Sequence, residues 1–181
     1  SLPFNLEKKQ VILIGTIVGL VLILLVLLLI PTGDSGGGTA PLKVGMLDSY
    51  FLELERKMRD SATDKANLDV ARDNFKLATE RLKLARLNED AEYQALLYLY
   101  KSKNHMLDIQ PRPPLWDEVN PKIAEVEKSL KDKLNGLFLD AWFSEKEGNR
   151  QWDIEMYRSI QEVVPEEQSV VYRTAAFRIV K

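Results

Sequence analysis

LDVARDNFKLATERLKLA, residues 68–85, carries the clearest repeat in the chain. Leu68, Phe75 and Leu82 recur every seven residues, and so do Ala71, Ala78 and Ala85. On a helix these two rows form one seam, bulky along one edge and small along the other. Alanine on the second row lets a neighbouring helix come close. Three heptads are few for a free-standing coiled coil, so the seam predicts a short antiparallel helical hairpin. Asp60-Ser61 and Thr63-Asp64 read as a break and a new N-cap ahead of it.

Working outward, the partner helix runs from about Glu89 to Met106, with Ala91, Ala95, Leu96, Leu99 and Met106 as apolar positions. Acidic residues at Asn88-Glu89-Asp90 suit its positive end. Upstream, Leu47, Tyr50, Phe51, Leu54 and Met58 fall at three- and four-residue spacings, which predicts an amphipathic helix. Downstream, IQPRPP at 109–114 interrupts the helical pattern, because each proline restricts itself and the residue before it. Pro121 then fits the first turn of a long helix to about Lys146, whose stripe is Ile123, Val126, Leu130, Leu134, Leu137, Phe138 and Ala141. Gly148-Asn149 ends it. Two shorter helices, Gln151 to Val164 and Glu166 to Ile179, close the chain on either side of Pro165. The fold class is all-α.

The N-terminal end has a different character. Residues 11–30, VILIGTIVGLVLILLVLLLI, hold no charge and one hydroxyl, Thr16. Twenty helical residues span about 30 Å, the thickness of a bilayer's hydrocarbon core, so this run predicts a transmembrane helix. It is longer than a signal-peptide core and lacks a small-x-small site after it, which favours an uncleaved anchor. Lys8 and Lys9 flank its start, and no Lys or Arg follows until Lys43. The positive-inside rule therefore puts residues 1–10 in the cytoplasm and exports the rest. Ser1 in place of methionine suits a processed chain or a fragment, and leaves room for a further cytoplasmic segment ahead of it. Gly15 and Gly19 form a GxxxG pair on one helix face, the candidate packing site for another transmembrane helix; the same face allows a homo-oligomer. Residues 31–46 are Gly-rich and predict a flexible linker to a helical domain over 47–181.

Composition narrows the function. With 25 basic and 27 acidic residues the formal net charge is -2, which gives no invitation to nucleic acid. Cysteine is absent, so there is no disulfide, thiolate nucleophile or cysteine metal cluster. Together with the lack of an Asn-x-Ser/Thr sequon, this is compatible with a bacterial periplasm. His105 is the single histidine and has no Cys or carboxylate at ligand spacing. No nucleophile elbow, phosphate-cradling glycine loop or HExxH is present. The sequence therefore nominates no catalytic, cofactor-binding or metal residue.

At the C-terminal end, LFLDAWFSEKEGNRQWDIEMYRSIQEVVPEE, residues 137–167, resembles a tetratricopeptide repeat. Leu137, Ala141, Gly148, Tyr157, Ile160 and Pro165 sit where that pattern has apolar, small, turn, aromatic, apolar and proline residues. Asp153 replaces a preferred Ala, and Ser144 a preferred aromatic. The stretch around Tyr50 to Leu84 fits more loosely. The resemblance implies a short solenoid of helical hairpins with a concave protein-binding face.

Aromatic residues nominate where partners bind. Trp116 follows the proline break, Tyr98 and Tyr100 share the hairpin's second helix, and Trp152 lies in the repeat-like segment. Trp142, Phe143 and Tyr157 read instead as helix-on-helix packing. The expected protein is a single-pass inner-membrane, non-catalytic scaffold subunit with a periplasmic helical domain. Its partners are the lipid bilayer and other subunits of an envelope complex, such as a secretion, pilus or motility machine. An accessory subunit of a respiratory or photosynthetic complex is one alternative, and a membrane-anchored sensor that binds a ligand or peptide is the other.

Overall fold

The computed structural model describes residues 45–60 and 66–181. They belong to the second of the two units into which the chain divides, Gly38–Lys181. Val11–Ile30, with Gly15 and Gly19, and most of the 31–46 linker lie outside the described residues. Among those described, no helix is long and apolar enough to cross a membrane.

Six helices follow one another, with no strand among the described residues: α1 (Met46–Asp60), α2 (Leu68–Lys83), α3 (Ala91–Met106), α4 (Leu115–Glu147), α5 (Arg150–Val163) and α6 (Val170–Val180). The heptad seam is the α2–α3 contact. Ala71 and Ala78 are buried, while Leu68, Phe75 and Leu82 pack partly buried against the core. The Ser102 hydroxyl donates to the Ala71 carbonyl at 2.8 Å, an approach that only a small residue on the facing helix permits. Asn67 N–H donates to the His105 carbonyl, so the start of α2 meets the end of α3 and the pair is antiparallel. The predicted N-cap is corrected here. Asn67 caps α2, its side-chain oxygen accepting from the Asp69 and Val70 amides at 3.0 and 3.2 Å; Thr63-Asp64 lie outside the described residues.

Helix α3 packs against α1, α2, α4 and α5. Lys101 is its single exposed residue. Helix α4 packs on α5, and α5 on α6; α1 also touches α6, so the first and last described helices meet. The buried side chains of all six form one cluster, with Phe51, Leu96, Leu99, Leu130, Leu134, Phe138, Tyr157 and Ile160 among its largest members. Polar links cross the same interfaces: Lys103–Glu55 between α3 and α1, Lys133–Glu89 between α4 and the turn before α3, both 2.6 Å, and Lys131–Asp48 between α4 and α1 at 2.7 Å.

Two helix starts differ from the sequence reading. Helix α4 begins at Leu115 and runs through Pro121, which was expected in the first turn. Proline keeps helical φ and removes one amide, and here Pro121 and Asp117 are both exposed, so water can satisfy the freed Asp117 carbonyl. Asn120 adds a side-chain bond to the Trp116 carbonyl at 2.9 Å. Helix α6 begins at Val170 rather than Glu166, because Ser169 caps it, its hydroxyl accepting from the Tyr172 amide at 3.0 Å.

The seam makes a direct prediction. Ala78→Leu forces bulk between α2 and α3 and should lower stability by about 1–3 kcal/mol. Leu77→Ala, at a side chain that is 42% exposed, should stay within about 0.5 kcal/mol of wild type. Chemical denaturation of the two variants compares them.

Candidate functional site

The α4–α5 junction is built by a turn with no spare residue. Gly148 adopts φ 74°, the left-handed conformation, and ends α4. Its amide donates to the Glu145 carbonyl at 3.3 Å and the Asn149 amide to the Ser144 carbonyl at 3.0 Å, the pair of bonds of a Schellman motif. Asn149 then starts α5, its side chain accepting from the Trp152 amide. The Ser144 hydroxyl, buried, donates back to the Asn149 carbonyl at 2.9 Å. Ser144 therefore serves the turn where the repeat pattern has an aromatic.

This turn brings Phe143 and Trp152 to the rim of one open groove of about 540 Å³, lined also by Asp140, Ser144, Glu147 and Asn149. Phe143 is 51% exposed and Trp152 50%, with Leu139 exposed nearby along α4. Phe143 was expected to pack between helices; instead it projects outward, while Trp142 turns inward with its ring 5.0 Å from Phe143's. Asp140, Phe143 and Glu147 are spaced by three and four, so they share one face of α4.

The floor beneath the turn is polar and mostly paired, Asp153 Oδ1 being buried without a partner. Arg178 of α6 bonds Glu145 of α4 at 3.1 Å, and the Tyr157 hydroxyl donates to the same carboxylate at 3.1 Å. Asp153, the residue at the repeat's alanine position, is buried and takes Arg150 at 3.0 Å. Arg150 also donates to the Arg178 and Ile179 carbonyls, which closes the end of α6. Burial and the Glu145 charge hold the Tyr157 hydroxyl well above its ordinary pKa, against the opposing charge of Arg178.

The other nominated aromatics lie elsewhere. Tyr100 is fully buried in α3, its hydroxyl donating to Glu127 at 2.6 Å, so it offers no surface to a partner. That is a correction: in a helix covered on four sides, a tyrosine is a core residue with a hydrogen-bonding tip. Tyr98 is half-buried against the core, with the Lys101 ammonium 5.4 Å from its ring centre. Trp116 is half-buried too and carries the Arg112 guanidinium 4.0 Å over its ring. Arg112 in turn caps the end of α3 through the Met106 and Leu107 carbonyls. Of the four, Trp152 alone reaches the groove; its companion Phe143 was missed although it lies two residues past Ala141, about 200° around α4 from the apolar stripe.

A second cleft, of about 310 Å³, lies between α1, α3 and the loop before α6, lined by Leu54, Lys57, Met58, Tyr93, Gln94, Leu97, Pro165 and Glu166. Its polar groups hold one another. Glu166 accepts from Lys57 and, at 2.9 Å, from the Tyr93 hydroxyl. Partial burial pushes the Glu166 carboxyl up, yet the bonds from Lys57 and Tyr93 and the Lys57 charge outweigh it and hold it below the ordinary carboxylate value. Burial is the main cause that takes the Tyr50 hydroxyl up to about 12; the Tyr93 and Ser169 hydroxyls oppose it from nearby without reaching hydrogen-bond geometry. His105 is buried at the end of α3. Among the described residues, no group of three or more His, Cys, Asp or Glu side chains is arranged to hold a metal ion.

Compared with known proteins, the chain matches no family model, no curated sequence and no solved structure. The tetratricopeptide resemblance thus rests on its sequence pattern. Helix α4 alone, at 33 residues, is about as long as a whole unit of that repeat.

Two outcomes check these interactions. Gly148→Ala places a Cβ on a left-handed residue and should cost about 1–2 kcal/mol in thermal unfolding. Because the folded Glu166 carboxyl titrates below its unfolded value, its stabilising effect is complete above the ordinary carboxylate pKa and is lost as pH falls through the depressed one. Wild type should therefore lose stability faster than Glu166→Gln between about pH 6 and pH 3, read by denaturant midpoints along the series.

Proposed function

We propose that this protein is a non-catalytic, membrane-anchored binding module that holds a partner protein by a segment laid in the α4–α5 groove. The observation that carries the reading is the pairing of Phe143 and Trp152, two half-exposed aromatics on the rim of one groove. Exposed aromatics clustered around a concavity are what protein interfaces use as anchors. Beneath them the Schellman turn and the bond from the Tyr157 hydroxyl to Glu145 fix the two helices, so the groove is formed before a partner arrives.

The apolar run Val11–Ile30 supports a single transmembrane anchor, with Lys8 and Lys9 favouring a cytoplasmic N-terminus and an exported helical domain. In that setting the module acts as a scaffold subunit: the anchor confines it to the bilayer and the groove recruits its partner there. Confinement raises the effective concentration of both, so a groove of modest affinity suffices.

The test is mild-detergent extraction of the full chain from its native membranes, followed by mass determination. Wild type should elute in an assembly larger than itself, and Phe143→Ser/Trp152→Ser should elute as the free chain with unchanged helicity. Wild type eluting alone, or a double variant that stays in the assembly, overturns the groove as the binding site. The anchor is checked separately, since deletion of residues 11–30 should move the protein from the carbonate-resistant pellet to the supernatant.

A further inference from the structure

The groove has a charge as well as an apolar rim. Asp140 and Glu147 flank Phe143 on the exposed face of α4, and both line the groove that Trp152 closes from α5. Neither carboxylate has an ion pair or side-chain hydrogen bond among the described residues. The nearby cations are occupied. The Lys146 ammonium lies 5.7 Å from the Trp142 ring centre, and Arg150 is bound to Asp153 and to the last carbonyls of α6. Apart from Ser144 and Asn149, which serve the turn, the lining that an incoming ligand meets is two aromatic rings and two unopposed carboxylates.

We infer that the groove's occupant is a protein segment that presents an arginine, and this deepens the binding-module reading on which it rests. A guanidinium is flat, so it stacks on an indole or phenyl face, and its forked N–H groups meet a carboxylate edge-on. The groove's lining holds both kinds of partner, the half-exposed Trp152 and Phe143 rings and the Asp140 and Glu147 carboxylates. Lysine brings its charge but neither the plane nor the fork. Arg112 over Trp116, at 4.0 Å, shows the same stacking satisfied within the fold by an internal arginine. A groove of about 540 Å³ takes an arginine side chain together with a neighbouring apolar residue.

A random dodecapeptide display library, panned on the full chain in nanodiscs and counter-selected on Phe143→Ser/Trp152→Ser, tests this. The expected result is enrichment of arginine at one fixed position. In the selected peptide, arginine→citrulline should weaken binding about tenfold or more and arginine→lysine about fivefold. Asp140→Asn and Glu147→Gln should each weaken it several-fold, and the loss should grow with salt. Selected peptides without arginine, or indifference to citrulline or to both carboxylate variants, overturn the inference. So does concentration-dependent self-association abolished by the double variant, which assigns the groove to a second copy. Failure of arginine selection while Phe143→Ser/Trp152→Ser still releases the chain from its assembly sinks only the arginine; failure of both sinks the groove.

Discussion

The burial of α3 on every side is the constraint from which the rest of the fold follows. A helix with one exposed residue in sixteen needs neighbours on four faces, and α1, α2, α4 and α5 are those neighbours. Close approach is possible because small residues are placed where backbones meet: Ala71 and Ala78 from α2, Ala91 and Ala95 from α3 itself. Most polar tips inside this shell are met individually, Ser102 by a carbonyl of α2, Tyr100 by Glu127 and Tyr93 by Glu166, while the Tyr50 hydroxyl is left without a partner. Each satisfied tip removes a desolvation penalty of about 1–3 kcal/mol that an orphaned group would impose. Specificity of packing and satisfaction of polar groups are therefore one problem in this core.

Much of the helical order was readable because periodicity survives tertiary context. The α2 seam as far as Lys83, the break at IQPRPP and the Gly148-Asn149 end appear where spacing and backbone chemistry put them, while Ala85 falls in the turn beyond the helix. What escaped was decided by single side chains. Asn67 and Ser169 each claimed a helix start because an oxygen reached an amide, and Pro121 was absorbed because its lost bond faces water. Of the candidate binding residues, Trp152 is on the groove while Tyr100 is in the core. The difference is rotation about a helix axis, and an evenly apolar helix such as α3 leaves that rotation undetermined in sequence. Phe143 is a different case: the α4 stripe through Leu134, Phe138 and Ala141 already turns residue 143 to the outer face.

Departures from the repeat pattern acquire a physical reading in three dimensions. Asp153, where the pattern has alanine, is reached at one oxygen by Arg150 and is unpartnered at the other, and it is Arg150 that couples α5 to the end of α6. Ser144 gives up an aromatic's packing and secures the turn instead. The contact between α1 and α6 goes further, since an open solenoid touches only its sequence neighbours. The helical hairpins here curl until the first and last described elements meet.

The economy of the Gly148-Asn149 turn has a consequence for how this protein can vary. Surface loops usually absorb insertions at little cost, but here the last cap of one helix is followed directly by the first cap of the next. One residue added at the turn leaves the angle between Trp152 and the buried face of α5 unchanged, because both follow it; what changes is how α5 as a whole meets α4. The Tyr157–Glu145 bond and the Phe138–Tyr157 ring contact would then be lost together with the pairing of Phe143 and Trp152. Length at this turn is thus fixed by the core and the surface at once.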